Sequence, residues 1–338
     1  MSPQFVDFDG DGDDDIVCGI FDGSPHVSYW DNEREGYLQP VGILDKEGDR
    51  IVLNAWWNFA EKKWDRTDRC NPDGGVPEDG HLTSAIAFDY DRDGDYDLVL
   101  GDHTGGYVYL RRNEGSNRTP KFATKNEFVM VNGAPMHVPG TVATIRAVDW
   151  DRDGALDLML SSMGDAYGQD TGGGVAVCLN QSRTGESEFG PMLVLVEPSP
   201  KGGEGAPSRP DAGLHPDAVD IDGDGDLDLI VGGYSRWSPP GRELSEGEQA
   251  TVARLRAREA ELQEAYAAIS VEYSDALDAA LEGKSEEEQE AVFTEVYGQF
   301  RERMQAASEA LKEVTDEIET YVPRPQRKPL VWFYERVQ

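Results

Sequence analysis

The chain reads as an all-β repeat protein interrupted once by a long helical hairpin. Three observations predict this. A nine-residue pattern, D-x-D-x-D-G-x-x-D, occurs four times, starting at Asp7, Asp89, Asp149 and Asp220. Each copy runs straight into a short apolar, β-rich stretch (IVCG, LVLG, LMLS and LIVG) of the kind that forms a strand. Past residue 243 the composition turns to Ala, Glu, Leu and Gln, with apolar residues recurring at steps of three, four and seven.

The aspartate pattern carries the chemistry. When such a loop curls, alternate side chains converge on one point, where oxygen donors surround a hard cation, and calcium is the usual occupant. The first, third and fifth positions supply carboxylates: Asp7, Asp9 and Asp11; Asp89, Asp91 and Asp93; Asp149, Asp151 and Asp153; Asp220, Asp222 and Asp224. Glycine at the sixth position (Gly12, Gly94, Gly154, Gly225) permits the sharp turn. The seventh position (Asp13, Asp95, Ala155, Asp226) is expected to offer its backbone carbonyl, which leaves its side chain free to vary. The ninth (Asp15, Asp97, Asp157, Asp228) is expected to close the shell, giving about four Ca2+ ions in all.

An EF-hand shares the start of this pattern but needs a bidentate Glu at its twelfth position. Here the twelfth positions are Cys18, Leu100, Leu160 and Val231, so that reading is excluded. Solvated aspartate turns are the plainer alternative. They account poorly for four copies in one ligand register, because crowded carboxylates without a cation repel one another.

The second copy extends to AIAFDYDRDGDYDLVLGDHTGGYVYLRRNEG, from Ala85 to Gly115: strand, acidic loop, strand, tight turn, strand. In this it resembles the FG-GAP/VCBS repeats of integrin-α-like proteins. The resemblance covers most of residues 1–237 and a short C-terminal piece. It implies a β-propeller of at least four blades, one four-stranded blade per repeat, with the calcium loop between the first two strands. Val231-Gly232-Gly233-Tyr234 keeps only a vestige of the namesake element. Propellers of this kind serve adhesion, glycan binding and scaffolding alike, so the fold alone does not choose among them.

Composition narrows the partners. The 338 residues carry 66 acidic and 31 basic side chains, a formal net charge of -35, which argues against nucleic acid or an anionic membrane surface. No apolar run is long enough for membrane insertion. Calcium loops of this open type suit extracellular calcium levels, so an extracellular, cell-surface or periplasmic location is expected. Met1-Ser2-Pro3-Gln4 leads almost directly into the first loop, so an export signal is expected on a longer product. Of the three cysteines, Cys18 and Cys178 fall in strand segments and read as buried thiols; a disulfide involving Cys70 is the alternative to three free thiols.

Loop starts lie 82, 60 and 71 residues apart, more than one blade needs. The excess falls at about residues 45–82, which hold Trp56, Trp57 and Trp64, and in Gly-rich stretches at 163–174 and 200–213, read as loops. The expected organisation is blades over 1–237, a helical hairpin over 238–326, and a returning strand of the last blade over 327–338. Capping-box pairs Ser245/Glu248 and Ser285/Glu288 start the two helices. Gly283-Lys284 separates them, and Pro323 with Pro325 ends the second. RKPLVWFYERV then resumes as the third strand of the last blade, which has no fourth.

No H-E-x-x-H, nucleophile elbow, P-loop or dinucleotide fingerprint is present. Asp102-His103, the one acid-histidine neighbour pair, falls in a tight turn and is read as non-catalytic. Trp56, Trp57 and Trp64 either pin their loop or offer a sugar-stacking patch. Tyr234, Trp237, Trp332 and Tyr334 are read as packing residues. The helical hairpin is either a rigid spacer or a docking arm. The expected function is non-catalytic: extracellular adhesion, or binding of a protein or glycan ligand, with calcium as a structural staple. The alternative is a secreted propeller that binds or degrades polysaccharide.

Overall fold

A computed structural model describes residues 3–164, 172–198, 209–237, 239–281, 284, 286–324 and 326–336. The chain divides into two compact units, Met1–Trp237 with Arg327–Gln338, and Ser238–Gln326.

Four antiparallel meander sheets build the first unit. The first contains strands Gln4–Val6, Asp15–Gly19, Pro25–Ser28 and Val41–Gly42. Leu82–Phe88, Asp97–Asp102, Val108–Arg111 and Glu127–Phe128 form the second. The third is Thr144–Val148, Asp157–Ser161, Val175–Cys178 and Leu193–Val196. The fourth has three strands, Ala212–Val219, Asp228–Trp237 and Gln326–Tyr334. Register follows the side-chain period of two: Leu98 pairs Ala87 and Arg111, and Leu158 pairs Ala147 and Cys178.

Successive sheets pack face to face, which explains why the middle strands are uninterrupted apolar runs. Leu98 and Leu100 join a core with Val17 and Val27 of the first sheet, while Val99 turns the other way, towards Ile145, Leu158 and Leu160 of the third. Met159, Val175 and Val177 use the far face of the third sheet to meet Leu214, Leu229 and Val231 of the fourth. Every strand of the second sheet except its short last one is wholly buried.

Two of the sequence readings need correcting here. Strand Ala212–Val219 begins inside the Gly-rich stretch assigned to a loop, because Asp211 to Val219 lies beside the second strand and Ala212 pairs with Tyr234. Residues 165–171 and 200–208 of the two Gly-rich stretches lie outside the described residues. The long 45–82 segment contains a two-stranded hairpin, Ala55–Asn58 with Lys63–Arg66, rather than loop alone.

The second unit contains helices α1 (Glu246–Leu281) and α2 (Glu286–Glu319). The Ser245 hydroxyl and N–H both donate to Glu248 Oε2 at 2.9 Å, and the Glu248 N–H donates back to Ser245 Oγ at 3.4 Å, closing the capping box. The second expected capping box, together with Gly283 and Pro325, lies outside the described residues. Among the described residues Val252, Leu255, Val296 and Ile318 are the buried members of the apolar stripes, and Tyr273 meets Phe300 at 5.7 Å. No described helix is long and apolar enough to cross a membrane. All three cysteines are free thiols; Cys70 and Cys178 are buried, but Cys18 is only half-buried because it faces away from the second sheet.

Candidate metal centre

Each acidic loop joins the first and second strands of its sheet, with its ninth residue already the first residue of the second strand. The sequence dictates the curl. Glycine at the sixth position takes φ of 107°, 98°, 89° and 101° in turn. The fourth position is left-handed as well, at Gly10, Arg92, Arg152 and Gly223. That second bend went unread in the sequence; its signal is the restriction of this position to Gly or Arg.

The curl brings carboxylates together. Oxygens of Asp7, Asp9 and Asp11 lie within 4.8 Å of one another, as do those of Asp89, Asp91 and Asp93, and of Asp220, Asp222 and Asp224. In the third loop the converging set is Asp149, Asp151 and Asp157. The fifth-position residue there, Asp153, is drawn off by Arg183, whose guanidinium sits 2.5 Å from Asp153 Oδ2.

The ninth aspartate has a constructional role that recurs in all four loops. Asp15 accepts from the N–H groups of Phe8 and Trp30, Asp97 from Tyr90 and Asn113, Asp157 from Trp150 and Asn180, and Asp228 from Ile221 and Arg336. One oxygen holds the start of the loop and the other holds the end of the third strand, at 2.7 to 3.2 Å. All four carboxyls are buried. An ionised carboxylate has about four lone-pair sites, so two remain for a cation.

The seventh position is less idle than its variability suggested. Ala155 and Asp95 are buried, and the Asp13 carboxylate accepts a hydrogen bond from Asn32.

Two further residues escaped the sequence reading. Asn113 and Asn180 each follow a third strand, and each side-chain oxygen accepts two backbone N–H bonds that fold the next turn: Gly115 and Lys121, and Ser182 and Glu188. Each lies nine residues before a buried phenylalanine that it bridges, Phe122 and Phe189. That Asn-to-Phe spacing is the signal that would have found them.

The loops carry unsatisfied negative charge. Asp7 Oδ1, Asp89 Oδ1, Asp95 Oδ1 and Asp226 Oδ1 are buried oxygens without a hydrogen-bond partner. Burial pushes Asp97 up to about 7 and Asp157 up to about 6, against the pull of their backbone N–H bonds and with neighbouring loop aspartates adding to the rise. Burial together with the other loop carboxylates also raises Asp9, Asp15, Asp89 and Asp95. Orphaned acceptors and mutually repelling carboxyls share these loops, and a bound cation would satisfy the first and relieve the second. The donor set, all hard oxygen, fits Ca2+ and discriminates against soft metals.

A family model described as an FG-GAP-like repeat matches residues 89–160, from the first aspartate of the second loop through the strand that follows the third. The chain carries an FG-GAP-like repeat. No curated protein matches the chain. The matched span holds one whole loop-to-loop unit of the FG-GAP-like repeat, and the first and fourth loops repeat its geometry outside it.

The tryptophans of the 55–66 hairpin have defined places. Trp57 and Trp64 are cross-strand partners with ring centroids 5.8 Å apart. Trp64 also lies 4.4 Å from His81, which stacks on His103 at 4.4 Å. This row pins the hairpin against the second sheet and leaves Trp64, Phe21 and Phe59 exposed. Trp332 is exposed too, against the packing role expected of it, whereas Tyr334 packs on the third core.

Proposed function

We propose that the chain is a calcium-stapled β-propeller module of an exported protein, non-catalytic, that serves in extracellular adhesion or binds a protein or glycan ligand. The observation that carries this is the convergence of three carboxylates within 4.8 Å in each of the four acidic loops, with buried, partnerless oxygens at the first position of two loops and the seventh of two. Asp7, Asp9, Asp11 and Asp15 and their counterparts would hold the ion, with the seventh-position carbonyl completing the shell. The ion would supply positive charge that converts a repelling cluster into a cross-link between the first three strands of each sheet. A site with a dissociation constant a hundredfold below the ambient calcium adds about 2.7 kcal/mol, and four such sites decide whether the sheets persist. The FG-GAP-like repeat and the succession of face-packed meander sheets support the propeller reading.

A polysaccharide ligand is favoured as the second reading by one observation, the exposed rings of Trp64 and Phe21, 6.3 Å apart beside His81. A glycan array probed in calcium tests both readings. Binding lost in Trp64→Ala and Phe21→Ala supports the glycan reading. Glycan binding indifferent to both changes excludes that surface, and turnover of a bound polysaccharide would overturn the non-catalytic reading.

A further inference from the structure

The third acidic loop differs from the other three in several ways that share one cause. Its fifth residue is missing from the converging set: Asp149 and Asp151 meet Asp157, where the other loops bring their first, third and fifth residues together. In those loops Oδ1 of the fifth residue (Asp11, Asp93, Asp224) accepts the N–H of the seventh at 3.0 Å. Their second oxygen is left for an ion. Asp153 makes the same bond to the Ala155 N–H at 2.8 Å, but its Oδ2 meets Arg183 Nη2 at 2.5 Å. The other arm of the guanidinium donates to the Asp153 carbonyl, so both arms hold one residue. Guanidinium groups near the other loops stand further from the carboxylates. Arg112 lies 3.7 Å from Asp91 and is engaged by Glu127 and Glu186, Arg152 lies 3.6 Å from Asp220, and Arg118 donates to the Gly10 carbonyl.

The third loop is also the one whose carboxylates the protein itself satisfies. Ala155 stands where the other loops have a seventh-position aspartate, which makes a smaller anion. Both oxygens of Asp149 accept N–H bonds, from Asp153 and Gly154. Buried oxygens without a partner occur at Asp7, Asp89, Asp95 and Asp226, in the first, second and fourth loops, and among the described residues none belongs to the third. Arg183 is itself held in place. Its turn is fixed by the second loop, where Arg92 donates to the carbonyls of Ser182 at 2.6 Å and Gly185 at 2.9 Å, and the Tyr90 carbonyl accepts from the Ser187 N–H at 2.9 Å. A turn fixed this way lowers the entropy cost of keeping a long side chain on one partner.

We infer that Arg183 is the built-in counter-cation of the third loop and sets the affinity of that site, which calcium fills completely only by displacing Arg183 from Asp153. The inference rests on the calcium reading of the loops. An arriving ion must first break the charged hydrogen bond from Arg183 before the fifth-position carboxylate can join the shell. The third site is therefore the weakest of the four. It fills last and empties first as ambient calcium changes, while the other three stay occupied.

Calcium titration of the metal-stripped full chain, followed by calorimetry with bound ions counted by equilibrium dialysis, tests this. The expected isotherm has three tighter ions and one weaker by about tenfold, the low end for a charged hydrogen bond because the Arg183 side chain is 58% exposed. Asp151→Asn, in the third loop, should delete the weak phase and spare the other three ions. Arg183→Gln should tighten the weak site by about tenfold with an unchanged far-UV spectrum. Asp153→Asn should weaken it, and in that background Arg183→Gln should change affinity by less than about twofold, because the guanidinium no longer has a carboxylate to hold. Four equivalent ions, a weak phase that survives Asp151→Asn, or a weak site unmoved by Arg183→Gln overturns the inference. So does an equal gain in both backgrounds, which would mean repulsion through space without displacement. Binding at no loop would defeat the calcium reading itself, and this inference with it.

Discussion

The raised carboxyls make a signed prediction about pH. In cation-free protein, Asp97 holds its proton until about pH 7 and Asp157 until about pH 6, whereas in the unfolded chain both ionise near the ordinary carboxylate value. The unfolded state therefore binds fewer protons than the folded state across this window, and stability falls as pH rises through it. A cation in the loop favours the ionised form and lowers the folded values below the unfolded ones. The loops' stability is then fully present above the unfolded value and is lost only in acid. For Asp97 about three pH units separate the two states, or roughly 4 kcal/mol; for Asp157 about two units, or roughly 3 kcal/mol, both upper values. Other groups titrate here too. Burial beside His103 lowers His81 to about 4, and burial raises Asp102 to about 6. Both lie away from the loops, so their contributions cancel in the difference between calcium-loaded and metal-stripped protein. Thermal unfolding of both forms from about pH 5 to pH 8 should show a calcium increment that grows with pH by several kcal/mol, or roughly 5–10 °C. An increment independent of pH would refute the argument that these carboxyls face the ion.

Three substitutions probe the scaffold. Gly94→Ala should cost about 1–2 kcal/mol through backbone strain alone, since the sixth position has φ of 98° and an added methyl meets nothing within 4 Å; urea unfolding measures it. Asn180→Ala, which removes two accepted N–H bonds and two donated bonds from a buried site, should cost about 3 kcal/mol in the same assay. Ser245→Ala should cost about 1 kcal/mol and raise amide exchange in the first turn of α1, leaving exchange in the second sheet unchanged.

The elements most legible in the sequence were those whose chemistry is local. The register of Asp7 to Asp15 and its three counterparts placed every loop between a first and second strand, because the ninth aspartate must start the strand it braces. Ser245 with Glu248 placed the start of α1 for the same local reason. The 55–66 hairpin was hidden because Trp56 and Trp57 are adjacent, so the alternation that marks a strand is lost. The service of Asp15, Asp97, Asp157 and Asp228 as brackets to the third strand depends on residues 15 to 108 positions away, which no local pattern carries. Asn113 and Asn180 were missed because one asparagine after a strand looks like any turn former until the Phe122 and Phe189 bridges are seen. Cys18 was misjudged because strand membership does not say which face is covered.

Calorimetric titration of metal-stripped chain with calcium tests the central claim most directly. The account predicts saturable binding of about four ions, with proton release near neutral pH because ligating carboxyls must ionise. No heat above dilution, with no metal retained after gel filtration, would contradict it.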